Sequence, residues 1–301
     1  MKYAIVDLGS NTIRLCVYEV EGEKADSIFE RKTMAGLVNY ITNDILNKDG
    51  IERAISILKD YQEILKNLLV NEENVYVFAT ASLRNIVNTK EVIKIIKEST
   101  SLSVELLSGE EEATLDFIGA TKNISSNTGV LVDIGGGSTE IVAFKNKEIQ
   151  YAKSMPIGSL NLYVKHVKKI IPKEDERKQI KRTVLENLKT LEIEPETYET
   201  ICGVGGTMRA AAKLNNSIFN IPKTNHLIDG SNIKLLLEII KNSHKTTITP
   251  ILQNIPDRIH TIIPGIIIID TILDYFNAEF IAVSKYGIRE GYLYEKIIKG
   301  E

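Results

Sequence analysis

The spacing of apolar positions predicts a run of short strands at the start of the chain. Residues 3–8 and 12–20 alternate or run apolar with β-branched side chains, two strands joined by a turn at Gly9–Asn11. A third strand is expected at 27–33. Apolar residues at Ile51, Ala54, Ile55, Leu58, Tyr61, Ile64, Leu65 and Leu68 follow the three-four spacing of an amphipathic helix over 51–69. VYVFAT (75–80) reads as a strand, 90–98 as a helix and SVELL (103–107) as another strand. A helix over 109–121 opens after Ser108, a good N-cap, with three glutamates in its first turn where the helix dipole favours them.

The pattern then restarts. Strands at 129–134, 139–145 and 148–154 precede helices at about 158–168 and 174–190. A strand at 199–204 leads into a helix from about 206, followed by helices at 232–242 and 264–276, a strand at 279–283 and a last helix over 286–298. Each half thus approximates three strands, then helix, strand, helix, strand, helix. The stretches VDLGSNT and VDIGGGSTE begin the two halves, and their acids, Asp7 and Asp133, are 133 − 7 = 126 residues apart. A duplicated α/β domain with a cleft between the copies is the expectation. The first domain takes 1–124 and the second 125–301, with the polar stretch 122–128 as boundary and the last helix, 286–299, packing back on the first domain. Residues 215–231, rich in Asn, Pro and Gly, read as a long surface loop.

Composition narrows the function classes. The chain has 301 residues, 43% of them hydrophobic, enough for two buried cores. Lys plus Arg is 37 against 40 for Asp plus Glu, a net charge of −3, which lacks the basic footprint of a nucleic-acid binder. Two cysteines, Cys16 and Cys202, stand in strand-like apolar runs, form no CxxC pair and read as buried thiols. The start, MKYAIVDLGS, enters a strand at once without a signal-peptide layout. The longest apolar run, 262–273, contains Pro264, Gly265 and Asp270 and is too short to span a bilayer. A reduced, cytoplasmic setting is expected, with no membrane and no nucleic acid as partner.

The two glycine turns carry the candidate chemistry. Without a Cβ the backbone approaches a ligand closely, and successive N–H groups form a concave anion site. A carboxylate beside bound phosphate repels it unless a cation lies between them, so the acid that ends the strand, Asp7 or Asp133, suggests a Mg²⁺ role. GVGGTMRAAA (203–212) follows a strand and opens a helix, where an anion or nucleotide is favoured, although Met208 breaks the dinucleotide fingerprint and no GxxxxGK[ST] loop occurs. In SGEEEA (108–113), helical spacing turns Glu110, Glu111 and Glu112 about 100° apart, so one of them can point inward. Arg14, Arg84, Arg209, Arg258 and Arg289 stand near element ends as candidate anion grips. The four histidines (His166, His226, His244, His260) make no metal-ligand spacing.

The ordered motifs VDLGSNTIRL, ATASLRN, LLSGEEEA, VDIGGGSTEIV, GVGGTMRA, Pro264–Gly265 and GIREGYLYE resemble the exopolyphosphatase and guanosine pentaphosphate phosphohydrolase family over almost the whole chain. The resemblance implies an α/β fold of duplicated ribonuclease H-like, actin-like ATPase domains with an interdomain cleft. It also implies hydrolysis of a terminal phosphoanhydride, from inorganic polyphosphate or from the 5′ end of guanosine pentaphosphate. By the same resemblance Glu112 is the general base, Glu140 the second catalytic carboxylate, and Asp133 with Glu140 the Mg²⁺ side. Gly135, Gly136, Gly137 and Ser138, together with Gly9, Ser10 and Asn11, cradle phosphate. Arg84 contacts a terminal phosphate, and Gly205, Gly206 and Thr207 hold a further phosphate or a nucleotide. A homodimer is the assembly to look for. The chain departs from the family pattern at Ser284-Lys285-Tyr286 and around Gly158 in SMPIGSLNLY. Two competing readings remain open: a protein that captures guanosine alarmones without turnover, which needs neither Glu112 nor Glu140, and a kinase of the same superfold.

Overall fold

The computed structural model describes residues 1–121, 127–193, 198–242 and 244–300. Most of the polar stretch 122–128, the expected domain boundary, lies outside the described residues. The chain divides into two compact units, Met1–Glu112 with Tyr292–Glu301, and Ala113–Gly291.

In the first unit, β1 (Lys2–Leu8), β2 (Thr12–Glu21) and β3 (Lys24–Met34) form an antiparallel meander. A small hairpin, β4 (Ile41–Thr42) and β5 (Ile45–Leu46), precedes helix α1 (Lys48–Asn67). Then come β6 (Val75–Ala79), the single turn α2 (Ala81–Arg84), α3 (Thr89–Thr100), β7 (Val104–Leu106) and α4 (Gly109–Thr121). The sheet order is β3-β2-β1-β6-β7, with β6 parallel to β1 and β7 parallel to β6. The apolar stripe of α1 is the reason it lies on this sheet: Ile51, Ala54, Ile57, Leu58, Tyr61 and Leu65 are buried against it. The Tyr61 hydroxyl is satisfied by donating to the Ile13 carbonyl at 2.8 Å.

The second unit repeats the plan. Strands β8 (Thr128–Ile134), β9 (Thr139–Lys145) and β10 (Glu148–Met155) form the meander, followed by α5 (Ser159–His166), α6 (Glu174–Thr190), β11 (Thr200–Val204) and α7 (Gly205–Ile218). After these come β12 (Leu227–Asp229), α8 (Gly230–Asn242), α9 (His244–Asn254), α10 (Ile262–Tyr275), β13 (Phe280–Val283) and α11 (Ile288–Tyr292). The sheet order is β10-β9-β8-β11-β13-β12. Its first five places match the first sheet, with β11 parallel to β8 and to β13, and β12 is an added antiparallel edge. This is the expected α/β duplication of a ribonuclease H-like domain. The run 262–273 is buried throughout as α10, a core helix. No helix among the described residues is long and apolar enough to cross a membrane.

Three expectations need correction. The stretch 215–231 is not one long loop: α7 runs to Ile218, β12 forms at 227–229, and α8 begins at Gly230. Asn216 makes the remaining turn compact, its side-chain nitrogen donating to the carbonyls of Pro222 and Asn225. Helix α9 was not expected, because Pro250 interrupts a threonine-rich segment that shows little helical pattern. The last helix is not continuous from 286 to 298: α11 ends at Tyr292 and the chain continues as a π-helical turn, Leu293–Ile298.

The glycines of GIREG serve packing. Within the second unit, a Cβ added at Gly291 would lie 1.8 Å from the Leu115 carbonyl oxygen, and one at Gly119 would lie 2.0 Å from that of Gly287. Backbones of α4 and of the segment leading into α11 touch there, and only glycine permits it. Beyond Gly291 the chain belongs to the first unit. The Tyr292 ring stacks on Phe78 at 5.0 Å between centroids, and its hydroxyl donates to Glu105 Oε2 at 2.5 Å. Lys296 pairs with the other oxygen of Glu105 at 3.2 Å.

Gly291→Ala should therefore destabilise the protein by about 1–3 kcal/mol in urea unfolding, and an unchanged midpoint would contradict the close backbone approach. A second expectation concerns pH. Lys181 on α6 reaches Asp270 and Asp274 of α10, both at 3.0 Å, and Lys234 reaches Asp274 at 3.1 Å. Burial pushes the Asp274 carboxyl up, but hydrogen bonds from the two lysines outweigh it and hold the group below its ordinary value. A depressed folded pKa contributes stability above the unfolded value, near 3.8, and that stability is lost as pH falls through the lower folded value. Asp274→Asn should flatten this acid limb of the stability curve. An identical acid limb in the variant would contradict it.

Candidate active site

In the second unit the turn between β8 and β9 is built by what lies behind it. Gly135 N–H donates to the Ser138 carbonyl at 2.9 Å and closes the turn. Three carbonyls of the turn then face the first turn of α5. Gly135 O accepts from Ser159 N–H at 2.9 Å and from Ser159 Oγ at 3.1 Å. Gly136 O accepts from the N–H groups of Leu160 at 2.9 Å and Asn161 at 3.0 Å. Gly137 O accepts from Asn161 Nδ2 at 3.0 Å. The unpaired N–H groups that begin any helix are thus used on the turn. Gly158 makes this approach feasible, since a Cβ there would lie 2.6 Å from the Gly136 carbonyl carbon.

A trans peptide points its N–H opposite to its C=O. With the carbonyls of Gly135, Gly136 and Gly137 drawn toward α5, the N–H groups of Gly136, Gly137 and Ser138 point the other way. Among the described residues none of these three N–H groups has an acceptor within the chain. Three consecutive donors on one side have the arrangement of a backbone nest, a shape that suits an anion.

Two carboxylates stand beside the turn. Asp133 and Glu140 are directly opposed in the β8–β9 register, which puts their side chains on one face of the sheet. Glu140 is buried, at 1% exposure, and its Oε1 accepts from Ser154 Oγ on β10 at 2.7 Å. Asp133 lies against GVGGT: a Cβ at Gly205 would fall 1.9 Å from Asp133 Oδ1, and Gly205 holds φ at +84°. Thr207 is buried, with its hydroxyl 3.5 Å from that of Ser159 and its methyl against Gly265 of α10. Cys202 on β11 is a buried thiol pushed up to about 12 by burial and by Asp116, too high for a nucleophile at neutral pH.

The first unit holds the other candidates. Its turn is also tied from behind: Ser10 O accepts from Val38 N–H, and Asn11 O from the N–H groups of Ala35 and Gly36. Here Asp7 is opposed in register by Arg14. Arg14 and Glu140 occupy equivalent places, since 140 − 14 equals 133 − 7. Ser108 and Glu111 make a reciprocal cap at the start of α4, Ser108 Oγ accepting from Glu111 N–H and Glu111 Oε2 from Ser108 N–H. Hydrogen bonding from the Ser108 backbone N–H, and then from its side chain, holds the Glu111 carboxyl below its ordinary value. The cap fixes the phase of the helix, leaving Glu110 and Glu111 exposed and turning Glu112 inward to 8% exposure. Glu112 meets Arg84, whose Nη1 donates to Glu112 Oε2 at 2.8 Å and to the Leu107 carbonyl at 3.1 Å.

Comparison with known proteins places this arrangement. The Ppx/GppA phosphatase family matches residues 16–299. The chain belongs to the Ppx/GppA phosphatase family. Among its relatives is a bifunctional 3-dehydroquinate synthase/phosphatase of Fusobacterium nucleatum, 31% identical over 94% of this chain, which spans 44% of that relative's length. A putative exopolyphosphatase of Haemophilus influenzae is 23% identical over 97% of this chain and 90% of its own. The crystal structure of the Aquifex aeolicus member of the Ppx/GppA family superposes with a TM-score of 0.80 at 26% identity, covering 100% of this chain and 99% of that one.

Within this Ppx/GppA fold, the second unit gathers Asp133, Glu140, Gly135–Ser138 and Gly205–Thr207 around β8, β9 and β11. The first unit joins Arg84 to Glu112 and holds Gly9, Ser10 and Asn11 in its own turn. Arg209, on α7, has its Nη1 3.5 Å from the Lys285 carbonyl. Reasoning from sequence did not single out Ser154 and Asn161. Asn161 was detectable as an amide three residues into a helix that follows a glycine cap, whereas Ser154 became visible only through strand register. The Arg84–Glu112 pair can be measured directly: a double-mutant cycle on Arg84→Met and Glu112→Gln should give a coupling of about 1.5–3 kcal/mol, and a coupling near zero would dissolve it.

Proposed function

We propose that this chain releases terminal phosphate from inorganic polyphosphate by attack of water. Its family and its phosphatase and exopolyphosphatase relatives support the reading. The observation that carries it is the opposition of Asp133 and Glu140 beside a nest of three N–H groups. Like charges facing each other across two strands are destabilising unless a cation joins them. At the equivalent register place the first unit sets Arg14 opposite Asp7.

Asp133 and Glu140 suit Mg²⁺, which keeps several waters and binds through one or two carboxylates plus substrate phosphates. Two carboxylates suit an ion that substrate phosphates help to hold. When bound, Mg²⁺ would offset the charge of the phosphates. The chain's own residues do the rest. The N–H groups of Gly136, Gly137 and Ser138 hold the terminal phosphoryl oxygens, Ser154 keeps Glu140 in place, and Gly205 leaves room for Asp133. The turn at Gly9–Asn11 and GVGGT hold neighbouring phosphates. Glu112 accepts a proton from water as the water oxygen bonds to the terminal phosphorus. The bond from that phosphorus to the bridging oxygen breaks, and the shortened chain leaves with its electron pair. Arg84 orients Glu112 and lends its guanidinium to the terminal phosphate. Such chemistry requires positioning and charge neutralisation more than covalent participation.

The test is phosphate release from long-chain polyphosphate with Mg²⁺, run beside guanosine pentaphosphate. Release from polyphosphate with the greater kcat/KM is expected, and Glu112→Gln should lower kcat by about 100- to 10,000-fold. A preference for guanosine pentaphosphate would transfer the reaction to that substrate. No phosphate from either, or a Gln variant at full rate, would remove the hydrolase reading.

A further inference from the structure

We propose that Asn161 is a positioning residue for the phosphate turn, acting through the Gly137 carbonyl. Three bonds of one amide side chain carry the inference. Asn161 Oδ1 accepts from Gly158 N–H at 2.7 Å, which caps α5. Its Nδ2 donates to Gly137 O at 3.0 Å and to the Pro156 carbonyl at 3.1 Å. One half of the amide therefore serves the helix, and the other half joins the turn to the segment that enters the helix.

The bond to Gly137 O differs from its neighbours. Gly135 O and Gly136 O are held by main-chain N–H groups that any residue would supply. Among the described residues Gly137 O is held by a side chain alone, and it belongs to the same peptide as the Ser138 N–H. Releasing it frees that peptide to rotate about the flanking glycine, whose φ and ψ are the least restricted of any residue. The third donor of the nest then loses its fixed direction. A donor that must reorganise during reaction contributes less to the transition state than one already aimed. Asn161 touches neither substrate nor reacting atoms in this scheme.

The inference rests on the hydrolase reading, and two variants with two readouts separate them. Asn161→Asp is isosteric and keeps an acceptor for Gly158 N–H, so the helix cap survives while the donor to Gly137 O is lost. Asn161→Ala removes both without adding charge. The first readout is ¹⁵N relaxation of Gly136, Gly137 and Ser138 in ligand-free protein, which is independent of any substrate. Order parameters should fall from about 0.85 to below about 0.6 in both variants. The second is kinetics on polyphosphate, where kcat should fall about tenfold or more with KM held within about threefold. Thermal unfolding of Asn161→Asp should stay near wild type, which keeps the test usable where Asn161→Ala fails to fold. A rigid turn in both variants overturns the proposal, as does a loosened turn with unchanged kcat, or a lowered melting temperature as the only effect. Wild type that is inactive on polyphosphate removes the hydrolase reading, while the order parameters still decide the role of Asn161.

Discussion

The carbonyl groups of the two glycine turns are tied back, and the candidate site depends on that constraint. A glycine turn alone is free to present either edge of its peptides. In the second unit the first turn of α5 takes up the carbonyls of Gly135, Gly136 and Gly137, and planarity of the peptide bond then sets the direction of the three following N–H groups. The dipole of α5 reinforces this, since its positive end polarises the carbonyls it binds. In the first unit the segment 35–38 ties back Ser10 and Asn11 in the same manner. Both supports come from the residues just after the third strand of each meander, as expected of a duplicated plan.

The copies have diverged where charge matters. One register position holds Arg14 opposite Asp7 in the first unit and Glu140 opposite Asp133 in the second. The first pairing sets a cation against an acid, and the second sets two acids against each other. Glycine has been kept wherever backbone or carboxylate comes close: at Gly158 behind the turn, at Gly205 over Asp133, and at Gly119, Gly287 and Gly291 between α4 and α11. In the first unit the Ser108–Glu111 cap sets the phase of α4, and that phase delivers Glu112 to Arg84.

Much of this was legible in the sequence because the information is local. Strand alternation, the stripe of α1 and the repeated acid-glycine turn follow from short-range periodicity, and the seven ordered motifs pointed to the family. The remainder depends on contacts distant in the chain. The Arg84–Glu112 bond joins residues 28 apart, and the Ser154–Glu140 bond depends on strand register. Helix α9 contains Pro250 and was hidden by it, and the π-helical turn after Tyr292 reads in sequence as ordinary helix. The segment 215–231 resembled a loop by composition, yet Asn216 organises part of it from within α7. GIREG was visible as a motif, but only the backbone contacts with α4 show why its glycines are required.

The direction of the N–H groups of Gly136, Gly137 and Ser138 is the central claim, and the most direct measurement is an amide shift titration. Isotope-labelled protein would be titrated with inorganic tripolyphosphate in the presence of Mg²⁺ and followed by ¹H–¹⁵N correlation spectra. The expected result is saturable downfield shifts of these three amides at one common midpoint, as charge-assisted hydrogen bonds form to phosphate oxygens. Saturable shifts elsewhere in the chain, with these three amides unmoved, would contradict it.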